Sequence, residues 1–419
     1  MHYQTISVVG LGYIGLPTAA VFASRRVKVI GIDVNKRAVE TINRGEIHIV
    51  EPDLDKVVQA AVSGGYLRAS ITPEPADAFL IAVPTPFKGD HEPDLSYIES
   101  ASKTIAPVLK KGDLVVLEST SPVGATEQMA AWLSEARPDL TFPQSHGEAS
   151  DIRIAHCPER VLPGQVLREL VENDRVIGGM TPRCSNAAVE LYKIFVEGEC
   201  VVTNARTAEM CKLTENSFRD VNIAFANELS IICDTLDINV WELIQLANRH
   251  PRVNILQPGP GVGGHCIAVD PWFIVKKTPE QAKLIHCARN VNDLKPTWVI
   301  DRVRIEISEH LKQNPQKKDR EVKIACFGLA FKANIDDLRE SPALAIACQL
   351  VKIHTGPILA VEPNIDHIPA STSSNIILCD EKTAISEADI LLLLVDHHQF
   401  RNLNINGKRF IDTRGIWQS

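Results

Sequence analysis

The chain has 419 residues, of which 45% are hydrophobic and 23% are charged, an ordinary composition for a globular protein of two or three domains. Its 44 basic and 52 acidic residues give a formal net charge of −8, which argues against a protein whose partner is nucleic acid. No charge-free apolar run reaches the roughly 18–20 residues of a membrane span, and no basic segment precedes the first apolar run, so we expect neither a membrane partner nor a signal peptide.

Residues 1–202 alternate short apolar runs with helical stretches. The runs are continuous, rich in β-branched residues and bounded by glycine, proline or aspartate, which is typical of buried parallel strands. They cover residues 6–10, 27–33, 78–83, 114–119 and 154–157. Because strands separated by helices form right-handed βαβ units, we expect an α/β domain with a doubly wound parallel sheet of the Rossmann type.

Residues 203–312 are predicted to be mainly helical. Residues 208–236 contain no glycine or proline, and residues 241–248 continue the helical pattern. A further helix is expected over residues 289–311, interrupted by Pro296. Between these helices lies a loop rich in glycine and proline, residues 257–264. Long helices that join two lobes often form a subunit interface, so we expect a homodimer.

Residues 313–419 return to the alternation of strands and helices. The polar segment 313–321 is typical of a linker, and strands are predicted at 322–328, 358–362, 376–378, 390–395 and 410–412. The predicted fold class is therefore α/β, with two Rossmann-like doubly wound parallel-sheet domains joined by a helical middle section. The expected domains are 1–202, 203–312 and 313–419.

The segment GLGYIG follows the first predicted strand and opens a helix. Gly10 permits a tight turn, Gly12 lets a pyrophosphate approach the backbone, and Gly15 permits close packing of helix against strand. Asp33 ends the next strand, where a carboxylate binds the adenosine ribose and repels a 2′-phosphate, so NAD is favoured over NADP; nearby Arg37 weakens that preference. The alternative is a glycine turn that binds nothing. The predicted cofactor contacts here are Gly10, Gly12, Tyr13, Ile14, Gly15, Asp33 and Arg37.

Three threonines follow the ends of later strands in this domain. Ligands of doubly wound sheets bind beyond the carboxyl ends of the strands, so Thr85, Thr120 and Thr126 are candidates to line the nicotinamide half of the cleft. Serine, threonine and proline are also common turn residues, and spacing alone leaves both interpretations open.

Cys266 follows a glycine-rich turn and precedes Asp270 by four residues. The other nine cysteines are scattered without a CxxC pair, which favours reduced cytoplasmic thiols and predicts no metal site. Cys266 is either a nucleophile, since the glycines permit close approach of a ligand, or an inert thiol, because reactivity depends on surroundings that the sequence does not show.

Lys212, Asn216 and Arg219 lie on one face of the predicted long helix, at spacings of four and three residues. An ammonium, an amide and a guanidinium on one face suit recognition of an anion or a sugar, but a solvated polar face has the same composition. His250 and Arg252 form a basic turn with the same two interpretations.

Two further segments follow predicted strands. The first is Cys157-Pro158-Glu159-Arg160. The second is FGLAFK, residues 327–332, which resembles a degenerate dinucleotide turn in which Lys332 replaces the last glycine. A lysine there is able to pair with a phosphate as a point charge.

Taken together, these segments resemble the nucleotide-sugar 6-dehydrogenases, the UDP-glucose/GDP-mannose dehydrogenase family. The motifs GLGYIGLP, EST, PER, KLTEN, GGxC with its later aspartate, and FGLAFK followed by D-x-R-x-S occur in family order over nearly the whole chain. The resemblance implies an N-terminal domain for NAD, a helical dimerising middle and a C-terminal domain for the UDP moiety. It also implies the reaction, oxidation of the C6 hydroxyl of a sugar to a carboxylate with two NAD consumed.

The resemblance also implies roles for individual residues. Cys266 is the expected nucleophile and Lys212 the expected acid/base, with Asn216 stabilising oxyanions, Asp270 orienting Lys212 or a water, and Glu159 activating the hydrolytic water. Arg339 is carried over as a cofactor contact. The implied substrate contacts are Arg160, Val161, Lys212, Asn216, Arg219, His250, Arg252, Gly263, Phe331, Lys332 and Arg414.

The segment around Cys266 resembles the branch of the family that acts on UDP-N-acetylhexosamines. The cysteine loop reads GGHCIAVD and lacks the lysine of UDP-glucose enzymes, so any role of that lysine is lost or moved. The branch favours UDP-N-acetyl-D-mannosamine, for surface polysaccharide synthesis, with UDP-N-acetylglucosamine or UDP-glucose as alternatives. A non-catalytic NAD-binding sensor and a simple hydroxyacid dehydrogenase are further alternatives, which differ in the NADH expected per substrate.

Overall fold

The computed structural model describes residues 3–162, 164–264, 266–369 and 375–417. The chain divides into two compact units, Met1–Glu215 and Asn216–Ser419. The boundary falls inside one long helix, α9 (Ala205–Thr235). No helix among the described residues is both long enough and apolar enough to cross a membrane.

The first unit is a layered α/β structure. Its strands are β1 (Thr5–Val9), β2 (Lys28–Ile32), β3 (Leu67–Ser70), β4 (Ala78–Ile81), β5 (Phe87–Lys88), β6 (Glu92–Pro93), β7 (Leu114–Leu117), β8 (Arg153–His156), β9 (Arg175–Gly179) and β10 (Cys200–Asn204). Its helices before α9 are α1 (Gly15–Ser24), α2 (Lys36–Asn43), α3 (Leu54–Ser63), α4 (Ser96–Ile105), α5 (Ala125–Ala136), α6 (Pro143–His146), α7 (Val166–Glu172) and α8 (Pro182–Tyr192).

Eight of these strands form one sheet in the order β10-β9-β8-β7-β4-β1-β2-β3. From β3 to β8 the strands are parallel and follow the order of a dinucleotide-binding sheet, which confirms the predicted fold class. One detail differs from the prediction. The strand β9 runs antiparallel to β8, and β10 is parallel to β9, so the sheet is not parallel throughout.

Both faces of this sheet are buried. Along β1, Val8 packs into one hydrophobic cluster and Val9 into another, and Leu80 and Ile81 of β4 divide in the same way. Successive side chains of a strand point to opposite faces, so strands with helices on both sides need apolar residues at every position. This burial explains why the strand signals in the sequence are continuous rather than alternating.

The second unit contains the remaining helices and a five-stranded parallel sheet. Its helices after α9 are α10 (Val240–Ala247), α11 (Asp270–Lys277), α12 (Lys283–Gln313), α13 (Pro342–Ile353) and α14 (Glu381–Glu387). Its strands are β11 (Ile324–Phe327), β12 (Ile358–Val361), β13 (Ile376–Leu378), β14 (Ile390–Leu393) and β15 (Arg409–Asp412), in the order β13-β12-β11-β14-β15. All five predicted C-terminal strands are present.

The predicted interruption of a helix at Pro296 is wrong, because α12 continues through this residue. Proline removes one backbone donor and usually kinks a helix. Here the turn before the proline is tied to α9, since Asn292 Nδ2 donates to the carbonyl oxygen of Asp220 at 3.1 Å and Lys295 Nζ donates to Ser230 Oγ. These tertiary bonds fix the turn before the proline against α9, and the helix continues beyond it.

The two sheets share the same glycine turn after their first strand. Gly10 and Gly328 have φ of 90° and 91°, and each N–H donates at 2.8 Å to the last residue of the neighbouring strand, Ile32 or Val361. This equivalence aligns Ala333 with Gly15. The prediction that Lys332 replaces the last glycine is therefore wrong by one position.

Candidate active site

The glycine turn after β1 forms an open cradle at the start of α1. A Cβ on Gly10 would lie 2.5 Å from the carbonyl oxygen of Ala82, and one on Gly15 would lie 1.8 Å from that of Gly10. A Cβ on Gly12 would meet nothing within 4 Å. The outer glycines are thus required by packing, while Gly12 borders space beside a helix N-terminus, where backbone N–H groups suit a pyrophosphate. These residues fit a dinucleotide.

Asp33 lies directly after β2 and fixes this turn. Its Oδ2 accepts the N–H of Leu11 at 2.8 Å, and its Oδ1 accepts the N–H of Asn35 at 2.8 Å. The half-buried carboxylate therefore has a set orientation at the strand end where an adenosine ribose binds. Arg37 is exposed in the first turn of α2.

We expect at least about a tenfold preference for NAD over NADP in catalytic efficiency, because Asp33 would repel a 2′-phosphate. A repulsion of roughly 1.4 kcal/mol is enough to give a factor of ten. Asp33→Ala should narrow that ratio, even if it weakens both cofactors by releasing the Leu11 N–H. Steady-state kinetics with both cofactors measure the ratio, and Glu40→Ala, an exposed change on α2, is the control. Equal efficiency of the wild-type protein with both cofactors would contradict the prediction.

The three predicted threonines differ in their surroundings. The hydroxyl of Thr85 donates to the carbonyl oxygen of Thr120, so the ends of β4 and β7 are joined. Thr126 is fully buried in the first turn of α5, and its hydroxyl donates to Glu209 at 2.6 Å. Thr126 therefore holds a helix start, and its role as a cofactor contact stays a prediction.

Two carboxylates tie the start of α9 to the sheet loops. Glu209 accepts the N–H groups of Gly124 and Thr126 at 2.7 Å each and so caps α5. Glu215 pairs with Arg160 Nη2 at 2.7 Å. Lys212 lies between them in sequence and is half-buried. The helix turn that carries the predicted acid/base is thus held from both sides within the first unit.

Glu159 belongs to a buried cluster behind the end of β8. Its Oε2 accepts from Arg175 Nη1 at 2.6 Å, and both side chains are at most 6% exposed. Glu118, which ends β7, accepts from the Tyr192 hydroxyl at 2.6 Å. Burial and the nearby Glu159 carboxylate raise the pKa of Glu118 to about 7. Sequence analysis missed this second carboxylate, although it lies in the EST motif.

In the second unit, Asn216 and Asp270 are in direct contact. Asn216 Nδ2 donates to Asp270 Oδ2 at 2.5 Å, and both residues are buried. Asp270 begins α11, and its N–H donates to the carbonyl oxygen of Cys266 at 2.8 Å. The Cys266 side chain is exposed. The structure therefore brings together three of the predicted catalytic residues, with the thiol accessible to a ligand.

The glycine loop before Cys266 packs against the predicted UDP-binding motif. A Cβ on Gly263 would lie 2.3 Å from the carbonyl oxygen of Glu340 and 3.2 Å from Phe331 Cβ, and one on Gly259 would lie 2.6 Å from Arg414 Nη1. At Gly263 the clash would be with a backbone oxygen, so only glycine permits the approach there. The loop, the FGLAFK segment and Arg414 are thus neighbours.

The remaining predicted contacts lie at the surface or carry local partners. Arg219, His250, Arg252 and Lys332 are exposed, and Val161 is half-buried. Arg339 pairs with Asp337 at 2.7 Å, and Arg414 pairs with Asp396 at 2.7 Å. Among the described residues, no group of three or more histidine, cysteine, aspartate or glutamate side chains is arranged to hold a metal ion.

Comparison with known proteins agrees with this geometry. Three models of the UDP-glucose/GDP-mannose dehydrogenase family match the chain: the NAD binding domain over residues 4–196, the central domain over 206–294 and the UDP binding domain over 325–419. The cofactor is NAD.

Individual relatives are similar over the full length. The chain is 69% identical to UDP-N-acetyl-D-mannosamine dehydrogenase from Yersinia pestis, covering 100% of both chains. It is 66% identical to NDP-N-acetyl-D-galactosaminuronic acid dehydrogenase from Ralstonia nicotianae, covering 100% of this chain and 97% of that protein. The structure of UDP-D-ManNAc dehydrogenase from Pyrococcus horikoshii shares 38% identity and a TM-score of 0.87, over 98% of this chain and 96% of that one.

The three family models thus match almost the whole chain. The matched residues include the glycine cradle, the exposed cysteine beside Asp270 and the loop packed on a second sheet domain. The chain belongs to the UDP-glucose/GDP-mannose dehydrogenase family and is an NAD-dependent nucleotide-sugar dehydrogenase.

Proposed function

We propose that this enzyme oxidises the C6 hydroxyl of UDP-N-acetyl-D-mannosamine to the carboxylate, a four-electron reaction that consumes two NAD. The observation that carries the proposal is the exposed Cys266 thiol on a glycine loop whose end, Asp270, is held by Asn216. A simple alcohol dehydrogenase does not need such a thiol, whereas oxidation onward to an acid does.

The bound NAD accepts one hydride in each oxidation. In the first, C6 of the sugar loses a hydride and its hydroxyl loses a proton, which leaves an aldehyde. The Cys266 thiolate then adds to that carbonyl, and the new S–C6 bond makes a thiohemiacetal that is able to lose a second hydride. The resulting thioester is cleaved by water, which releases the carboxylate and the thiol. The balance is one alcohol and one water converted to a carboxylate, two hydrides and three protons.

The proposal assigns proton transfer, charge stabilisation and activation of water to polar residues. Lys212 is proposed to take and return the hydroxyl proton, and its charge together with the Asn216 amide would stabilise the oxyanions that form at C6. Asp270 would orient Lys212 or a water molecule. Glu159 would activate the water that cleaves the thioester, and its pairing with Arg175 gives it a fixed orientation.

The UDP moiety is proposed to bind through basic residues that are exposed in the structure. We expect Lys332→Ala and Arg219→Ala each to raise the KM for the UDP-sugar about tenfold, because a hydrogen bond to a charged group contributes roughly 1.5–3 kcal/mol. The dissociation constant for NAD should change less than twofold. Steady-state kinetics and NAD titration measure both, with exposed Arg401→Ala as the control. Unchanged KM values in both variants would count against the assignment.

The identity of the sugar rests on the relatives. The names of similar proteins include both an N-acetyl-D-mannosamine and an N-acetyl-D-galactosaminuronic acid enzyme, at 69% and 66% identity. The decisive experiment is a panel of UDP-sugars with NAD, followed at 340 nm: the N-acetyl-D-manno, -gluco and -galacto forms and UDP-glucose. The proposal requires two NADH per molecule of the mannosamine form. No NADH from the mannosamine form, or a single NADH per molecule with an aldehyde as product, would contradict the proposal.

We also propose a homodimer that forms through α9. Phe218, Phe225 and Ile232 recur every seven residues on this helix and are 68%, 52% and 43% exposed. A seven-residue repeat places side chains in one stripe, and a row of large exposed apolar side chains is characteristic of an interface. A second copy of the same helix presents a matching stripe.

Phe225→Glu is expected to convert the dimer to a monomer at micromolar concentration, because each interface would bury two carboxylates in an apolar seam. Analytical ultracentrifugation measures the mass. The control is Ile377→Glu, an equally exposed apolar residue, at 52%, on β13. A wild-type monomer, or a dimer that survives in the Phe225 variant, would contradict the proposed interface.

The domain division that we propose for this reaction is 1–202 for NAD, 203–312 for the dimer and the cysteine loop, and 313–419 for UDP. The product, a UDP-linked aminosugar uronate, would be made in the cytoplasm and would supply a glycosyl transfer reaction of surface polysaccharide synthesis.

A further inference from the structure

The helix α9 holds both ends of the segment that carries Cys266. Asn216 donates to Asp270 at the end of this segment, and Asn227 Oδ1 accepts the N–H of Gly259 at its beginning, at 2.9 Å. The two asparagines are eleven residues apart, which is about three helical turns, so they lie on the same side of the helix, roughly 16 Å from each other along its axis. The helix thus sets the distance between the two anchors.

The first anchor is needed because the loop has little structure of its own. Residues 259–264 include four glycines, which leave the backbone many accessible conformations. Gly259 is buried, so its N–H would lack a partner without Asn227. Pro296 and Pro342 lie close to the loop, since a Cβ on Gly261 would be 3.1 Å and 2.9 Å from their side chains. These apolar contacts limit the path of the loop but give the Gly259 N–H no acceptor.

The orientation of the Asn227 amide is set by a buried ion pair. Asn227 Nδ2 donates to Asn292 Oδ1 at 2.9 Å, and Asn292 Nδ2 donates to Asp220 Oδ1 at 2.8 Å. Arg289 Nη1 donates to the same carboxylate oxygen at 2.6 Å. All four residues are at most 1% exposed.

These four residues form a hydrogen-bond relay, in which the chemistry of each side chain fixes whether it donates or accepts. An ionised carboxylate only accepts, so Asn292 has to present its NH₂ group to Asp220 and its oxygen to Asn227. Asn227 then has to present its NH₂ group to Asn292, which leaves its oxygen facing Gly259. A flipped amide at either position would bring two acceptors or two donors together. The Asp220–Arg289 pair therefore determines which atom of Asn227 meets the loop.

We propose that Asn227 is a positioning residue for this enzyme: oriented by Asp220 through Asn292, it fixes the start of the cysteine loop and thereby the place of the Cys266 thiol. Its side chain bonds Asn292 and the Gly259 backbone, and it acts through that backbone. The link from loop position to turnover rests on the proposed function, whereas the anchoring of the loop does not.

The test is Asn227→Ala in the full chain, with Asn222→Ala as the control. Asn222 is on the same helix, and its amide donates to the carbonyl oxygen of Phe218 of that helix, at 2.7 Å. The first readout is hydrogen exchange of the peptide that covers residues 255–264. Exchange of this peptide should accelerate about tenfold in the Asn227 variant, while exchange of α9 itself and the dissociation constant for NAD stay as in the wild type.

The second readout compares the change in kcat with the change in the KM for NAD. We expect kcat to fall about ten- to a hundredfold, because a displacement of about 1 Å at a reacting group has an effect of that size, while the KM for NAD changes less than twofold. If the alanine variant does not fold, Asn227→Leu takes its place. Leucine is similar to asparagine in size and shape but removes both the acceptor for Gly259 and the donor to Asn292, so the same two changes are expected.

Unchanged exchange of the loop, or a kcat within twofold of the wild type, would overturn the proposal. If the wild-type enzyme forms no uronate from any UDP-sugar, the proposed function fails, and faster exchange of the loop alone then still supports the anchoring role.

Discussion

Replacement of Cys266 by alanine is expected to abolish conversion of the UDP-sugar to the uronate. Without the thiol, no side-chain nucleophile adds to the aldehyde. An aldehyde is a poor hydride donor until such an addition occurs. The first oxidation does not require the thiol and should survive weakly. NAD binding should be unchanged, because the residues that we expect to bind it, Gly10, Gly12, Gly15 and Asp33, belong to the first unit.

The measurement is the yield of NADH and uronate per sugar, by absorbance at 340 nm and by mass spectrometry of the product. Cys348→Ala is a matched control, since Cys348 is a half-buried cysteine on α13, outside the predicted site. Uronate formation at a near-normal rate in the Cys266→Ala variant, with two NADH per sugar, would end the covalent mechanism.

Cys266→Ser tests the same step more sharply. A serine hydroxyl is a poorer nucleophile at neutral pH, and an oxygen ester hydrolyses more slowly than a thioester. We expect little turnover and a fraction of protein that carries the sugar on the peptide spanning residues 263–270. Mass spectrometry after incubation with substrate and NAD detects this adduct. Full turnover by the serine variant would show that the sulfur is not required.

Replacement of Lys212 by alanine is expected to lower kcat by about 10²- to 10⁴-fold, the usual contribution of a positioned acid/base. The residue is half-buried and lies in sequence between two carboxylates that hold its helix turn in place. Glu209 caps α5, and Glu215 pairs with Arg160. The KM for NAD should change little. Lys382→Ala, an exposed lysine on α14, is the control.

Lys212→Arg separates proton transfer from charge. Arginine keeps the positive charge but does not release a proton near neutral pH, so an acid/base role predicts a loss almost as large as in the alanine variant. Recovery of most of kcat by arginine would instead assign Lys212 a purely electrostatic role. An alanine variant within threefold of the wild type would remove Lys212 from the mechanism altogether.

Much of the molecule is determined locally and was predicted from the sequence. The glycine turn at residues 10–15 needs only the absence of side chains at the outer positions, so its geometry follows from the residues themselves. Strands buried on both faces are mostly apolar, which made most of the ten predicted strands recognisable. Five strands in the described part of the chain were missed. Three of them, β3, β9 and β10, are partly exposed or interrupted by glycine, and β5 and β6 have only two residues each.

The candidate site residues were also named from the sequence, and their expected roles came from the resemblance to the family. A thiol, an ammonium, an amide and two carboxylates at the positions of the family motifs indicated the reaction class. That inference needed no distances, since the resemblance relies on the order of the motifs along the chain.

Only the tertiary structure decided which residues meet across the chain. The reversed direction of β9 depends on how a later segment returns to the sheet, and the continuity of α12 through Pro296 depends on bonds to α9. The bond from the Thr126 hydroxyl to Glu209, which follows it by 83 residues, is likewise visible only in the folded chain.

The relay from Asp220 through Asn292 to Asn227 is decided in the same way. Each member is an ordinary polar residue of a helix, and nothing in local propensity distinguishes it from a solvated side chain. Its role arises because two long helices are packed together and a buried carboxylate, which is unable to donate, dictates the direction of every hydrogen bond that follows. Such long-range constraints leave no periodic signal in the sequence, since they depend on contacts formed only when the chain is folded.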